Sequence, residues 1–289
     1  GEAHAARHER RQRVQQLSHA PLNRRRHARG PAAEEDEGGG LSAGGVDEPV
    51  RASVYREVLG GAGVAGPTAR ASLDRLVLSG YLSRDRRGRS IIYGLTPHGR
   101  EVMREAAVRV NSSHPFSPDG TGWTLVTFTV PESQRNVRQQ IRAALVWEGF
   151  APLRDGLWIA PGAVDLAEVL EPHREEIPEH GVVAFHAADL PDFAVGGVIR
   201  SVWDLDALRA THELFIAEWQ SPAAASGSPA SMLTALGADW TTLLRVDPRL
   251  PDGFMDADWP ASRSVEVYRA RRADLEPDAH RLLRELATP

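Results

Sequence analysis

From residue 50 onward the apolar positions fall into short periodic runs. In VRASVYREVLG, Val54, Val58 and Leu59 recur at helical spacing, which predicts a helix over 51–59. Ala69, Leu73, Leu76 and Val77 form a second stripe and predict a helix over 67–79, opened by Pro67 and ended by Gly80. YLSR and SIIYGL then flank DRRGR, an antiparallel hairpin with a glycine at its tip, and helical text follows to about residue 110. NSSHPFSPDGTG, 111–122, is a linker of turn formers. WTLVTFTV, 123–130, alternates as a strand, and Pro131-Glu132 opens a helix to about Glu148 with Val137, Ile141, Ala144 and Leu145 on one face. GLWIAP and GVVAFHA read as strands, with helical AVDLAEVLEPHREEI between them, and FAVGGVIRSVW is taken as the fourth strand. This βαββαβ-like order predicts a small ferredoxin-like domain. From DLDALRATHELFIAEW the text is mainly helical, broken at SPAAASGSPAS and at DPRLPDGFMDADWP.

Before residue 50 the pattern fails. RHERRQR, NRRRHARG and EEDEGGG carry almost no large apolar side chain, so residues 1–49 are expected to form a disordered tail, with one short helix near Val14–Leu17. The expected fold class is a multidomain α+β chain. Its parts are a winged helix-turn-helix over 50–112, a central ferredoxin-like domain over 120–202 and a C-terminal helical domain over 203–289.

Composition narrows the class. The chain is 42% hydrophobic and 25% charged, ordinary for a globular protein. No apolar run approaches the ~20 residues that span a bilayer, and the N-terminus lacks the apolar core of a secretory signal. There is no cysteine, so disulfides and thiolate metal sites are excluded, and a cytoplasmic location fits. Every basic side chain is arginine, which fits a GC-rich coding sequence. The net charge of −5 hides a division. Residues 50–110 hold 11 Arg against 5 Asp and Glu, while residues 111–289 hold 15 against 26. A basic module inside an acidic protein points to a polyanionic partner for that module.

GAGVAG, 61–66, spells the glycine fingerprint of dinucleotide-binding loops, and Asp85 lies about twenty residues on. Such a loop needs a buried parallel strand before it and a helix that begins inside it. Here the preceding text is helical, and Pro67 sets the helix start beyond the glycines. The fitting alternative is the winged helix-turn-helix. Opposite its apolar stripe, the second helix carries Thr68, Ala71, Ser72 and Arg75, with Arg70 flanking. Short polar residues allow close approach to a major groove, and an arginine bonds a guanine edge in two places. The hairpin carries Arg84, Arg86, Arg87 and Arg89, placed to reach phosphates or a minor groove. The competing reading of both elements is a solvated charged surface.

The stretches VYREVLGGAGVAGPTARASLDRLVLSGYL and RRGRSIIYGLTPHGREVM resemble the N-terminal domain of the PaaX-like family, the phenylacetic acid degradation repressors. GWTLVTFTVPESQRNVRQQIRAALVWEGFAPLRDGLWIAP is similar to that family's central domain, in the V-P-E-x-x-R turn, the G-F before the next strand and the G-L-W-I-x-P run. VWDLDAL and DPRLPDGFMDADWP resemble its C-terminal domain, so the resemblance runs from about residue 50 to 289. It implies a bacterial, homodimeric repressor that binds double-stranded operator DNA and is released by phenylacetyl-CoA or a related acyl-CoA effector, with no bound cofactor. The central fold is similar to that of the small CRISPR-associated endonucleases, which carry an Asp at the end of the first strand. Val130-Pro131-Glu132 stands there instead, so no nuclease activity is expected. One departure opens an alternative. The family's apolar helix before the supporting helix has no counterpart in residues 20–49. A dimeric ligand- or protein-binding scaffold with an impaired DNA-binding domain is therefore the second reading.

Three further groups of residues invite a functional reading. Arg135, Arg138 and Arg142 share a helix flank and are candidates for an effector's phosphates, against the plainer reading of a solvated face. Trp123, Trp147, Trp158 and Phe150 are assigned to core packing rather than to an aryl ligand, and Trp203, Trp219, Trp240 and Trp259 to anchoring helices. His173 and His180 lie among acidic residues but without metal-ligand spacing, so no metal is expected. No G-x-S-x-G elbow occurs, no catalytic residue is assigned and no enzyme is expected.

Overall fold

A computed structural model of the chain describes residues 49–190, 195–221 and 227–287. The tail expected over 1–49, with its short helix, lies outside the described residues except for Pro49. The first part runs β1 (Val50–Arg51), α1 (Ala52–Gly61), α2 (Gly66–Leu78), β2 (Leu82–Arg87), β3 (Ser90–Leu95) and α3 (Pro97–Val110). Its three strands form an antiparallel sheet in the order β1-β3-β2. The expected stripe of α2 is the packed one. Ala69 and Leu73 are buried, and Leu76 and Val77 lie against a small core of Leu73, Leu82 and Tyr93. Tyr55 of α1 meets the Tyr93 ring edge-on at 5.9 Å. Fully burying one such side chain contributes about 1.5–3 kcal/mol, so a core this small leans on what surrounds it.

The glycine run has two separate causes, neither of them a nucleotide. Gly63 takes φ +88° just after α1, where a left-handed residue ends a helix with least strain. Gly61 lies so close to Ser231 that any Cβ would collide with that side chain. The element before the glycines is a helix, and Pro67 sits in the first turn of α2.

The middle part contains β4 (Trp123–Phe128), α4 (Arg135–Trp147), β5 (Ala151–Arg154), β6 (Leu157–Pro161), α5 (Leu166–Leu170) and β7 (Val182–Ala187). A 3-10 turn, Glu132–Gln134, leads into α4. The sheet order β5-β6-β4-β7, antiparallel throughout, is that of a βαββαβ unit. One face packs on α4, burying Val126, Trp158 and Ala160 against Ile141 and Leu145. The other face buries Trp123 and Ile159 against Ile199, Trp203 and Leu250 from the next part. One sequence expectation is corrected. The described part of FAVGGVIRSVW is helical rather than a strand: Val195–Val198 is a 3-10 turn and Ile199–Val202 is α6, while its first two residues lie outside the described residues. The fourth strand is β5, an edge strand that tolerates Pro152.

The last part is helical: α7 (Leu205–Gln220), α8 (Pro229–Val246) and α9 (Ala261–Ala287). Asp204 caps α7 through Ala207 N–H at 2.9 Å, and Ser228 caps α8 through Ser231 N–H at 3.2 Å. Phe215, Trp219, Leu236, Trp240, Leu243 and Tyr268 build the core, joined by Phe116 from the linker. The Trp240 and Tyr268 rings stack at 4.2 Å. The aromatics expected in cores are mostly there: Trp123, Trp158 and Phe150 are buried, and so are Trp203, Trp219 and Trp240. Trp147 is half-buried beneath the Arg245 guanidinium, 5.2 Å from its ring centre.

Candidate nucleic-acid interface

The α2 helix and the β2–β3 hairpin present one cationic surface because the apolar halves of both are spent on the same core. The α2 stripe faces inward, so Thr68, Arg70 and Arg75 are left exposed and Ser72 half-exposed. Ser72 accepts a hydrogen bond from Arg75 Nη2 at 3.2 Å, which orients the guanidinium along the outer face. In β2 only Leu82 is buried, so Arg84, Arg86 and Arg87 remain in solvent, with Arg89 in the turn.

Register sorts the hairpin arginines between two faces. Leu82, Arg84 and Arg86 alternate on the side of buried Tyr93, the face turned toward α2. An ion pair agrees with this, since Arg84 Nη1 lies 3.5 Å from Asp74 Oδ1 of α2. With both side chains roughly half exposed, such a pair contributes at most ~1 kcal/mol, enough to bias the spacing of hairpin and helix but not to fix it. Arg87 stands on the opposite face, and Arg86 donates through Nε to Gly88 O at 3.1 Å, stiffening the tip. Between residues 66 and 90 there are six arginines and two aspartates, Asp74 and Asp85. The Arg84–Asp74 ion pair sets the α2 residues and the hairpin arginines side by side, with Arg87 turned to the hairpin's far face.

The support beneath this corner was not legible from the sequence. Gly99 N–H donates to the Thr96 hydroxyl at 2.9 Å, and that hydroxyl donates to Gly80 O at 2.6 Å, tying the start of α3 to the end of α2. Arg51 Nη2 donates to Leu286 O at 2.6 Å, Arg109 donates to Leu244 O, and Trp240 Nε1 reaches Val110 O at 3.4 Å. The basic corner is therefore moored to α8 and α9, more than a hundred residues away in the chain.

The other singled-out residues are dispersed. Arg135 and Arg142 are exposed on α4, while Arg138 Nη2 donates to Val130 O at 2.8 Å and braces the end of β4. His173 lies 3.5 Å from Glu176, and the exposed His180 has φ +60°. One constellation leaves no local trace in the sequence, because its members lie 35 and 52 positions apart. His212 accepts or donates at both ring nitrogens, to Ser264 Oγ and Asp247 Oδ2, each at 2.9 Å. It has the members of a hydrolytic triad, but His212 and Ser264 have no exposed surface and Asp247 is buried. No substrate can reach it, and it serves to join α7, α8 and α9.

The fold and its site define an α+β protein in which one cationic helix-and-hairpin corner rides on an acidic body. The models of two family domains match the body: the PaaX protein central Cas2-like domain over 117–191 and the PaaX-like protein C-terminal domain over 203–285. The chain belongs to the PaaX-like family. It is 26% identical over 214 residues to the Transcriptional repressor PaaX of Escherichia coli (strain K12), a match covering 70% of this chain and 66% of that protein, just under two thirds of its length. Among solved structures, the Uncharacterized protein Rv0674 from Mycobacterium tuberculosis aligns with a TM-score of 0.53 at 22% identity, covering 80% of this chain and 90% of that one. That likeness is one of fold. No helix among the described residues is long and apolar enough to cross a membrane.

Proposed function

We propose that the chain is a DNA-binding transcriptional regulator, a repressor whose winged helix-turn-helix is formed by α1, α2 and the β2–β3 hairpin. The observation that carries this reading is the set of exposed arginines, Arg70 and Arg75 on α2 and Arg84, Arg86, Arg87 and Arg89 on the hairpin, on two elements joined by the Arg84–Asp74 ion pair. In this reading Arg75, Ser72 and Thr68 face base edges in a major groove, and the hairpin arginines lie along phosphates. Membership of a family that includes a named repressor supports the same class, acting on double-stranded operator DNA in the cytoplasm. The acyl-CoA effector is carried over from the family resemblance. Arg135 and Arg142 would meet its phosphates, and Arg138 would set the helix that bears them.

The test is a gel shift of the chain on its own upstream DNA over a range of salt. The expected result is operator binding that weakens steeply with salt, since each phosphate contact releases counterions. No affinity for any duplex even in dilute buffer would overturn it, and would leave the dimeric scaffold with an impaired DNA-binding domain. Operator release by phenylacetyl-CoA but not by coenzyme A alone would support the effector assignment. Release that is unchanged in Arg135→Ala/Arg142→Ala would move the effector site elsewhere.

A further inference from the structure

The last turn of α2 holds a leucine that folding does not explain. Ala69 and Leu73 are buried, and Leu76 and Val77 lie against the core beneath, but Leu78 takes no part in that core. With 87% of its surface exposed, it is the most exposed large apolar side chain among the described residues. Its place on the helix gives it company. Leu78 follows Ala71 by two helical turns and Arg75 by one, so the three run along the outer face of α2, and all three are exposed. Whatever covers Leu78 therefore also meets the Arg75 guanidinium, which Ser72 holds on that face at 3.2 Å. Asp74, the carboxylate of this helix, is engaged by Arg84.

We infer that Leu78 is a specificity-determining residue that reads the C5-methyl group of a thymine in the bound duplex. The inference deepens the proposed regulator and rests on that reading. The chemistry of the outer face selects this occupant. A protein interface needs an apolar core several residues wide, and a membrane needs a broad apolar helix face; this surface offers one leucine among arginines. The major-groove edge of DNA sets the two required groups side by side. Guanine presents two acceptors to an arginine, and the thymine methyl is the apolar group of that groove. Arg70 and the hairpin arginines supply the positive charge that the flanking phosphates attract. Spacing narrows the position. Three residues advance a helix by about 4.5 Å, a little more than the roughly 3.4 Å between base pairs. The thymine then lies one or two base pairs from the guanine that Arg75 bonds. Ala71, two turns back on the same line, is short enough to let the helix lie deep in the groove.

The test removes one methyl group from the DNA and leaves the protein unchanged. Across the stretch of upstream DNA that the full chain protects from nuclease, each thymine in turn is replaced by deoxyuridine. That base keeps every hydrogen-bonding group and lacks only the methyl. Fluorescence anisotropy should find a position in the half-site where the wild type binds about fourfold more weakly, the effect of leaving one methyl group uncovered. Leu78→Ala should bind the thymine and uracil duplexes alike at that position, and Leu78→Met should keep part of the difference. Arg87→Ala, a phosphate contact in the same reading, should weaken both duplexes and preserve the fourfold ratio. A wild type indifferent to every deoxyuridine overturns the inference while leaving the regulator reading intact. So does a Leu78→Ala chain that loses as much as the wild type at the same position. A chain that binds no duplex at all sinks the regulator reading, and this inference with it.

Discussion

At the scale of single residues, the proposed regulator assigns different work to neighbouring arginines. Arg75 is held by Ser72 on the outer face of α2, where a bidentate bond to a guanine edge is open to it. Arg75→Ala should cost about 1–3 kcal/mol on the operator and relax specificity at one base position. Fluorescence anisotropy on operator and random duplexes checks this, and equal losses on both would remove the base-reading role. Arg87 lies on the hairpin face turned away from α2. Arg87→Ala should weaken all sequences alike and lower the salt slope by about 1. A glycine also has a fixed duty at this scale. Gly61→Val would drive a branched side chain into Ser231, so the thermal midpoint should fall while isolated operator contacts stay intact.

At the scale of elements, the pattern of apolar residues was most readable where it was longest. α2, the hairpin and α4 follow from stripes of four residues or from alternation bounded by glycine, because a buried face leaves a periodic trace. The fourth strand of the central sheet left no such trace. Ala151–Arg154 is four residues long and contains a proline, whereas Val195–Val202 is apolar enough to resemble a strand and is instead a pair of helical turns. Short apolar runs do not distinguish a buried strand from a buried turn. The cap of α3 shows what local chemistry adds. Thr96 accepts from Gly99 N–H and donates to Gly80 O, so Thr96→Ala removes a cap and loosens the hairpin at once. The expected loss is about 0.5–2 kcal/mol by urea denaturation.

At the scale of the whole molecule, the decisive contacts join residues far apart in the chain, and one sequence carries no sign of them. Arg109 and Leu244 are separated by 135 positions, and His212 meets partners 35 and 52 positions away. The eight candidate DNA contacts were legible because they cluster in sequence, but the mooring that aims them was not. The buried histidine gives this scale its own prediction. Asp247→Ala removes the acceptor at His212 Nε2 and the oxygen that accepts from Arg249 N–H, leaving buried polar groups unpaired. Each such group costs about 1–3 kcal/mol, so the unfolding midpoint in urea should drop markedly. A variant as stable as the wild type would show that the network is dispensable.

The seam where Gly61 abuts Ser231 carries a consequence for how any signal travels. With no side chain on Gly61, the end of α1 rests directly on the short Ser231 side chain, so the two helices behave as meshed gears rather than as a cushioned joint. A nudge of a fraction of an ångström to α8 would pass through α1 to the corner proposed to face DNA instead of being absorbed by long, soft side chains.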